Sequence, residues 1–116
     1  MAYVATTNYV DKDDYLNFTG IDLDIELKSA NTDNPTKAAD IFIRRVQNWL
    51  INKLKSDFTI KDDNWDDDVF KQALLYQMEY IIDKGVWKLA DSAYEELHNN
   101  AMINPAKEDR YFSAWL

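Results

Sequence analysis

The chain has no cysteine, a single histidine (His98), two glycines and two prolines among its 116 residues. Without cysteine there is neither a disulfide framework nor a thiolate to serve as nucleophile or metal ligand. One histidine cannot build a transition-metal site, and His98 has only Glu95 and Glu96 near it in sequence. No apolar run approaches the ~20 residues that a membrane span requires. The opening Met1-Ala2-Tyr3-Val4-Ala5 lacks the basic start and apolar stretch of a signal peptide, so a cytoplasmic protein is expected. Ser29, Ser56, Ser92 and Ser113 stand in no nucleophile-elbow context, and no glycine-rich phosphate loop is present. These absences point away from an enzyme and from any metal or cofactor.

Apolar residues make up 47% of the chain, and sixteen are aromatic (four Trp, seven Tyr, five Phe). A domain of this length buries roughly two-thirds of its unfolded surface, so it needs no covalent staples. That many aromatics exceed what one small core needs, and some are expected at a partner surface. The 21 acidic residues outnumber 13 basic ones, giving a net charge of −8. Such a surface repels phosphates rather than binding them.

Residues 1–10 carry no periodicity and read as an extended arm. Asp11 opens a short helix with Asp13 and Asp14 at its positive end, Tyr15, Leu16 and Phe18 on its apolar side, and Gly20 as its stop. Ile21-Asp22-Leu23-Asp24-Ile25-Glu26-Leu27 alternates with a period of two, which suits a strand better than the competing turn of helix packed by Leu23 and Leu27. Asn34-Pro35 is a helix entry. Ala38, Ala39, Phe42, Val46, Trp49, Leu50 and Leu54 then recur on one helical face, with Ile51 nearly opposite.

A second long helix starts at Asp66-Asp67-Asp68 and closes at Lys84-Gly85. It is apolar around most of its circumference, and Gln77, inside that face, calls for a hydrogen-bond partner. Asp62, Asn64 and Asp66 have the first spacings of a calcium loop. Asp67 and Ala73 stand where that loop needs Gly and Glu, so a capped acidic helix start is the better reading. Asp91 is the expected cap of a short helix over 92–99. Asn104-Pro105 repeats the helix-entry signal and predicts a docking helix over 104–116. The expected fold is one mainly α domain over 1–116, a small bundle of about four helices with an extended arm and one candidate short strand.

Asp14-Tyr15 with Phe18-Thr19-Gly20, then Ala39 with Phe42-Ile43-Arg44-Arg45-Val46, then Phe70-Lys71-Gln72-Ala73, Tyr80-Ile81-Ile82 and Gly85, and last Asn104-Pro105, follow one another in a distinctive order. In this the chain resembles the head–tail connector (adaptor) proteins of tailed bacteriophages over residues 9–85. The resemblance implies a non-enzymatic virion subunit, made in the host cytoplasm and forming a homo-oligomeric, dodecameric ring in the neck. Such a ring would join the portal protein to a tail-side stopper protein and surround the DNA channel. The acidic balance would then let DNA slide without sticking.

On this reading Tyr111, Phe112, Trp115 and Leu116 are expected at the portal interface. Ile21, Leu23, Ile25, Ile41 and Ile51 are expected between subunits, and Ile51→Asp is expected to weaken assembly in a folded monomer. The alternative is an acidic DNA-mimic inhibitor of a nucleic-acid-binding protein, resting on the net charge and on Asp66, Asp67 and Asp68. A helical adaptor outside phages is a third reading.

Overall fold

The computed structural model describes residues 8–27 and 35–104. Their order is α1 (Lys12–Thr19), α2 (Leu23–Glu26), α3 (Pro35–Asp57), β1 (Thr59–Ile60), a 3-10 turn (Asp62–Asn64), α4 (Asp67–Lys84), α5 (Asp91–Asn99) and β2 (Ile103–Asn104). The fold is mainly α, as its periodicity predicts. Of the expected arm, residues 8–10 are irregular backbone held on the body, with Val10 buried.

Local signals set most helix ends. Asp11 and Asp14 form a reciprocal capping box: Asp14 N–H donates to Asp11 Oδ1 at 2.8 Å and Asp11 N–H to Asp14 Oδ2 at 2.9 Å. Gly20 ends α1 in the left-handed conformation (φ 78°), its N–H donating to Leu16 C=O at 2.7 Å. Asp66 caps α4, accepting from Asp68 N–H at 2.9 Å, and Gly85 (φ 68°) closes it. The acidic run is thus a helix start, and Asp67 also accepts from the Trp65 indole N–H at 2.8 Å.

Several expectations are corrected. Residues 21–27 form no strand; Leu23–Glu26 is the competing turn of helix, capped by Asp22 and tied to α1 by the Lys12–Asp24 ion pair at 2.6 Å. Leu23, expected between subunits, is fully buried in the core of the single chain. The buried face of α3 is Ala39, Ile43, Val46, Gln47, Leu50, Ile51 and Leu54. At about 100° per residue, that face is turned by roughly a fifth of a revolution from the expected one. Ile51 is therefore core, whereas Phe42 and Trp49 lie at the edge, half-buried. The cap of α5 is Ala90, with Asp91 its first residue. Asn104 pairs with Thr59, and Ile103 with Ile60, in a two-residue antiparallel ladder. The rest of the expected docking helix lies outside the described residues.

The core joins all five helices, with α5 packed chiefly on α4 and α2 on α3. Aromatic contacts fix the irregular parts. Phe70 of α4 meets Tyr9 edge-on at 4.9 Å and Trp65 at 5.0 Å, and Phe18 of α1 meets Tyr76 edge-on at 5.1 Å. His98 stacks on Tyr94 at 5.3 Å.

Among the described residues, two polar side chains, Gln47 and Gln77, are fully buried. Gln47 Oε1 accepts from Tyr9 N–H at 2.7 Å, holding the arm on α3. Gln77 Nε2 donates to Lys88 C=O at 2.7 Å while its Oε1 accepts from Ala90 N–H at 2.9 Å. The partner that the sequence demanded for Gln77 is thus main chain, eleven and thirteen residues ahead.

The end of α5 departs from glycine usage. Ala101 takes the left-handed conformation (φ 56°), with Met102 N–H on Leu97 C=O at 2.9 Å and Ala101 N–H on His98 C=O at 3.0 Å. This is the Schellman arrangement, sealed by buried Met102 and Leu97.

Three outcomes follow for equilibrium denaturation. Gln77→Ala is expected to cost about 2–3 kcal/mol, because two main-chain groups lose their partners. Ala101→Gly is expected to gain roughly 0.5–1 kcal/mol by removing the left-handed penalty, net of glycine's added unfolded-state freedom. Ile51→Asp, which places a carboxylate in the core, is expected to abolish the cooperative transition rather than spare the monomer.

Candidate functional site

Two surfaces stand out, of opposite chemistry. The first is an aromatic ridge. Phe42 and Trp49 lie two turns apart on α3, and the linker between α4 and α5 lays Trp87 across them. Ring centroids are 6.3 Å for Phe42–Trp87 and 5.9 Å for Trp49–Trp87, both edge-to-face. Trp87 nevertheless stays 44% exposed, and Val86 beside it 48%. The linker is held from beneath by Gln77 through Lys88 and Ala90, so the indole is presented on a fixed backbone.

The second is an open cleft of about 550 Å³ where α1, α2, α4 and the start of α5 meet. Tyr76, Glu79, Tyr80 and Asp83 recur at helical spacing along one side of α4 and line it, facing Tyr15 of α1 and Glu26 of α2. Glu26, Glu79 and Asp83 are exposed at the rim. Asp83 makes a 3.4 Å ion pair with the adjacent Lys84, both side chains well exposed.

Tyr15 is fully buried, and its hydroxyl has no hydrogen-bond partner. The nearby Thr19 hydroxyl is engaged by main chain, donating to Tyr15 C=O at 2.8 Å and accepting from Ile21 N–H at 3.0 Å. Burial, with the Glu79 carboxylate adding to it, pushes the Tyr15 phenol up to about 12, so it is neutral at physiological pH.

The expected subunit-contact residues divide. Ile25 and Ile41 are exposed, at 71% and 43%; Ile21 is half-buried and lines the cleft; Leu23 and Ile51 are core. Tyr111, Phe112, Trp115 and Leu116 lie outside the described residues. Sequence reasoning missed Trp87, for which no local signal exists, and the cleft, for which one did. The Tyr76, Glu79, Tyr80, Asp83 stripe has helical period and mixed chemistry. Among the described residues, no group of three or more His, Cys, Asp or Glu side chains is placed to hold a metal ion, and no helix is long and apolar enough to cross a membrane. No protein-family model, curated protein or solved structure matches the chain.

Tyr15→Phe keeps the ring and deletes an unpartnered buried hydroxyl, so the variant is expected to be about 1 kcal/mol more stable in neutral buffer. The pH dependence separates this from simple packing. The folded-state phenol titrates above the ordinary tyrosine value of 10.0, so the unfolded chain sheds this proton first. Stability from this group is full below pH 10 and falls as pH rises towards 12. The gap between Tyr15→Phe and wild type, read by urea denaturation, is expected to widen over that window.

Proposed function

We propose that the chain is a structural subunit of a tailed-phage neck, assembling as a ring beneath the portal, joining head to tail and surrounding the DNA channel. The observation that carries this reading is the aromatic ridge. Phe42, Trp49 and Trp87 offer large apolar side chains on a fixed backbone, and rigid aromatics of this kind dominate the energetics of protein interfaces. Exposed Val86 extends the patch, and exposed Ile25 and Ile41 supply further apolar contacts for neighbouring subunits. A ring closes through unlike patches on successive copies, and an acidic body lets duplex DNA pass its lumen without adhering. The resemblance in the order of motifs over residues 9–85 supports the same reading.

A mass-spectrometric census of purified virions tests it. The chain is expected at a copy number close to the portal's. Recovery only in the infected-cell cytosol, in a salt-sensitive one-to-one complex with a basic protein, would overturn the reading in favour of the acidic inhibitor. Within the proposed assembly, Trp87→Asp is expected to keep the wild-type helical circular dichroism. Its association with portal-bearing particles in co-sedimentation is expected to weaken about thirtyfold, the effect of losing an aromatic hot spot.

A further inference from the structure

We propose that the cleft between α1, α2 and α4 binds an aliphatic amine in its protonated form, with the Tyr15 hydroxyl at its floor and Glu79 and Asp83 at its rim. The inference stands apart from the ring assembly, since none of these residues belongs to the aromatic ridge.

Two independent observations point to such a ligand. One is the Tyr15 hydroxyl. It is wholly buried, has no partner, and lies in the field of Glu79, Glu26 and Asp83. Burying an unmade hydrogen bond is costly, and a group that can accept one from an incoming N–H recovers that cost on binding. The other is the charge arrangement. Glu79 and Asp83 are one turn apart on α4, where like charges repel and weaken a helix that has no cation between them. Glu26 approaches from the opposite wall. Among the described residues, the cation paired with one of the three is Lys84, bound loosely to Asp83 on the exposed side.

The walls select for an organic cation over a small metal ion. Tyr76 and Tyr80 also line the cleft, and their faces attract an ammonium group and its alkyl stem. A divalent ion needs six or more converging oxygens, whereas no metal-holding cluster of carboxylates exists among the described residues. Rim carboxylates one helical turn apart are spaced for a linear polyamine, whose ammonium groups are separated by three or four carbons. The phenol oxygen accepts the ammonium N–H through its lone pair.

Isothermal titration of the full chain with spermidine, with a lysine tripeptide and with magnesium chloride at matched ionic strength tests this. Spermidine is expected to bind once per chain, at least tenfold more tightly than magnesium. Tyr15→Phe and Glu79→Gln, both checked as folded by circular dichroism, are each expected to weaken it about tenfold. Spermidine is expected to raise the melting temperature of wild type and much less that of Tyr15→Phe, although the unliganded variant melts no lower. Tighter binding of the tripeptide, with the same dependence on both variants, would assign the amine to a lysine of a partner chain and support the site. Magnesium matching spermidine, or affinities that neither variant changes, would overturn it.

Discussion

The hydrogen bonds of the Gln77 side chain are the constraint on which the rest of this structure leans. A primary amide in a core is tolerable only when its donor and acceptor are both used. Here they are spent on Lys88 C=O and Ala90 N–H, the main chain that links α4 to α5. That linker has no helix or sheet of its own to satisfy its backbone, and the buried amide supplies what a ladder would. Ala90 is the cap of α5, so the same contact seats the last helix and turns Trp87 back across α3. Gln47 does for the arm at Tyr9 what Gln77 does for the linker. Both irregular segments are thus bound to the long helices by amides rather than by apolar burial alone.

The consequence is a molecule with two distinct faces built on shared helices. Phe42 and Trp49 of α3 carry the aromatic ridge, which depends on the linker for its third ring. Tyr76, Glu79, Tyr80 and Asp83 of α4 carry one wall of the acidic cleft, which depends on α1 and α2 for the other. Apolar rings are exposed on one surface and negative charge is concentrated on the other. The buried phenol of Tyr15, whose hydroxyl has no hydrogen-bond partner, is what makes the cleft more than a charged recess.

Particular residues show how far the sequence could be read. Asp11, Gly20, Asp66 and Gly85 announced their helix ends because capping is local: the partners are within four residues. The turn at 23–26 was misread because four residues are too few to display a helical period, while alternation over 21–27 is a strong strand signal. Ile51 reads as outward because it lies opposite the face of Phe42 and Trp49, whereas in the structure Gln47 is buried. Once Tyr9 satisfies that glutamine, the buried arc swings towards Ile51. Asn104 before proline has the chemistry of a cap, and its pairing with Thr59, 45 residues earlier, is not legible in the local sequence.

By itself the sequence determined the helical class, the limits of α1 and α4, the wide apolar circumference of α4 and the need of Gln77 for a partner. All of these follow from periodicity and from contacts within a turn or two. The tertiary structure alone decided which arc of α3 is buried, that residues 23–26 coil, that Trp87 caps an aromatic ridge, and that Tyr15 meets Glu26 and Glu79 across a cleft. These depend on groups far apart in the chain, and a pattern of neighbours does not specify which distant donor will satisfy a buried amide or which distant wall will face a phenol.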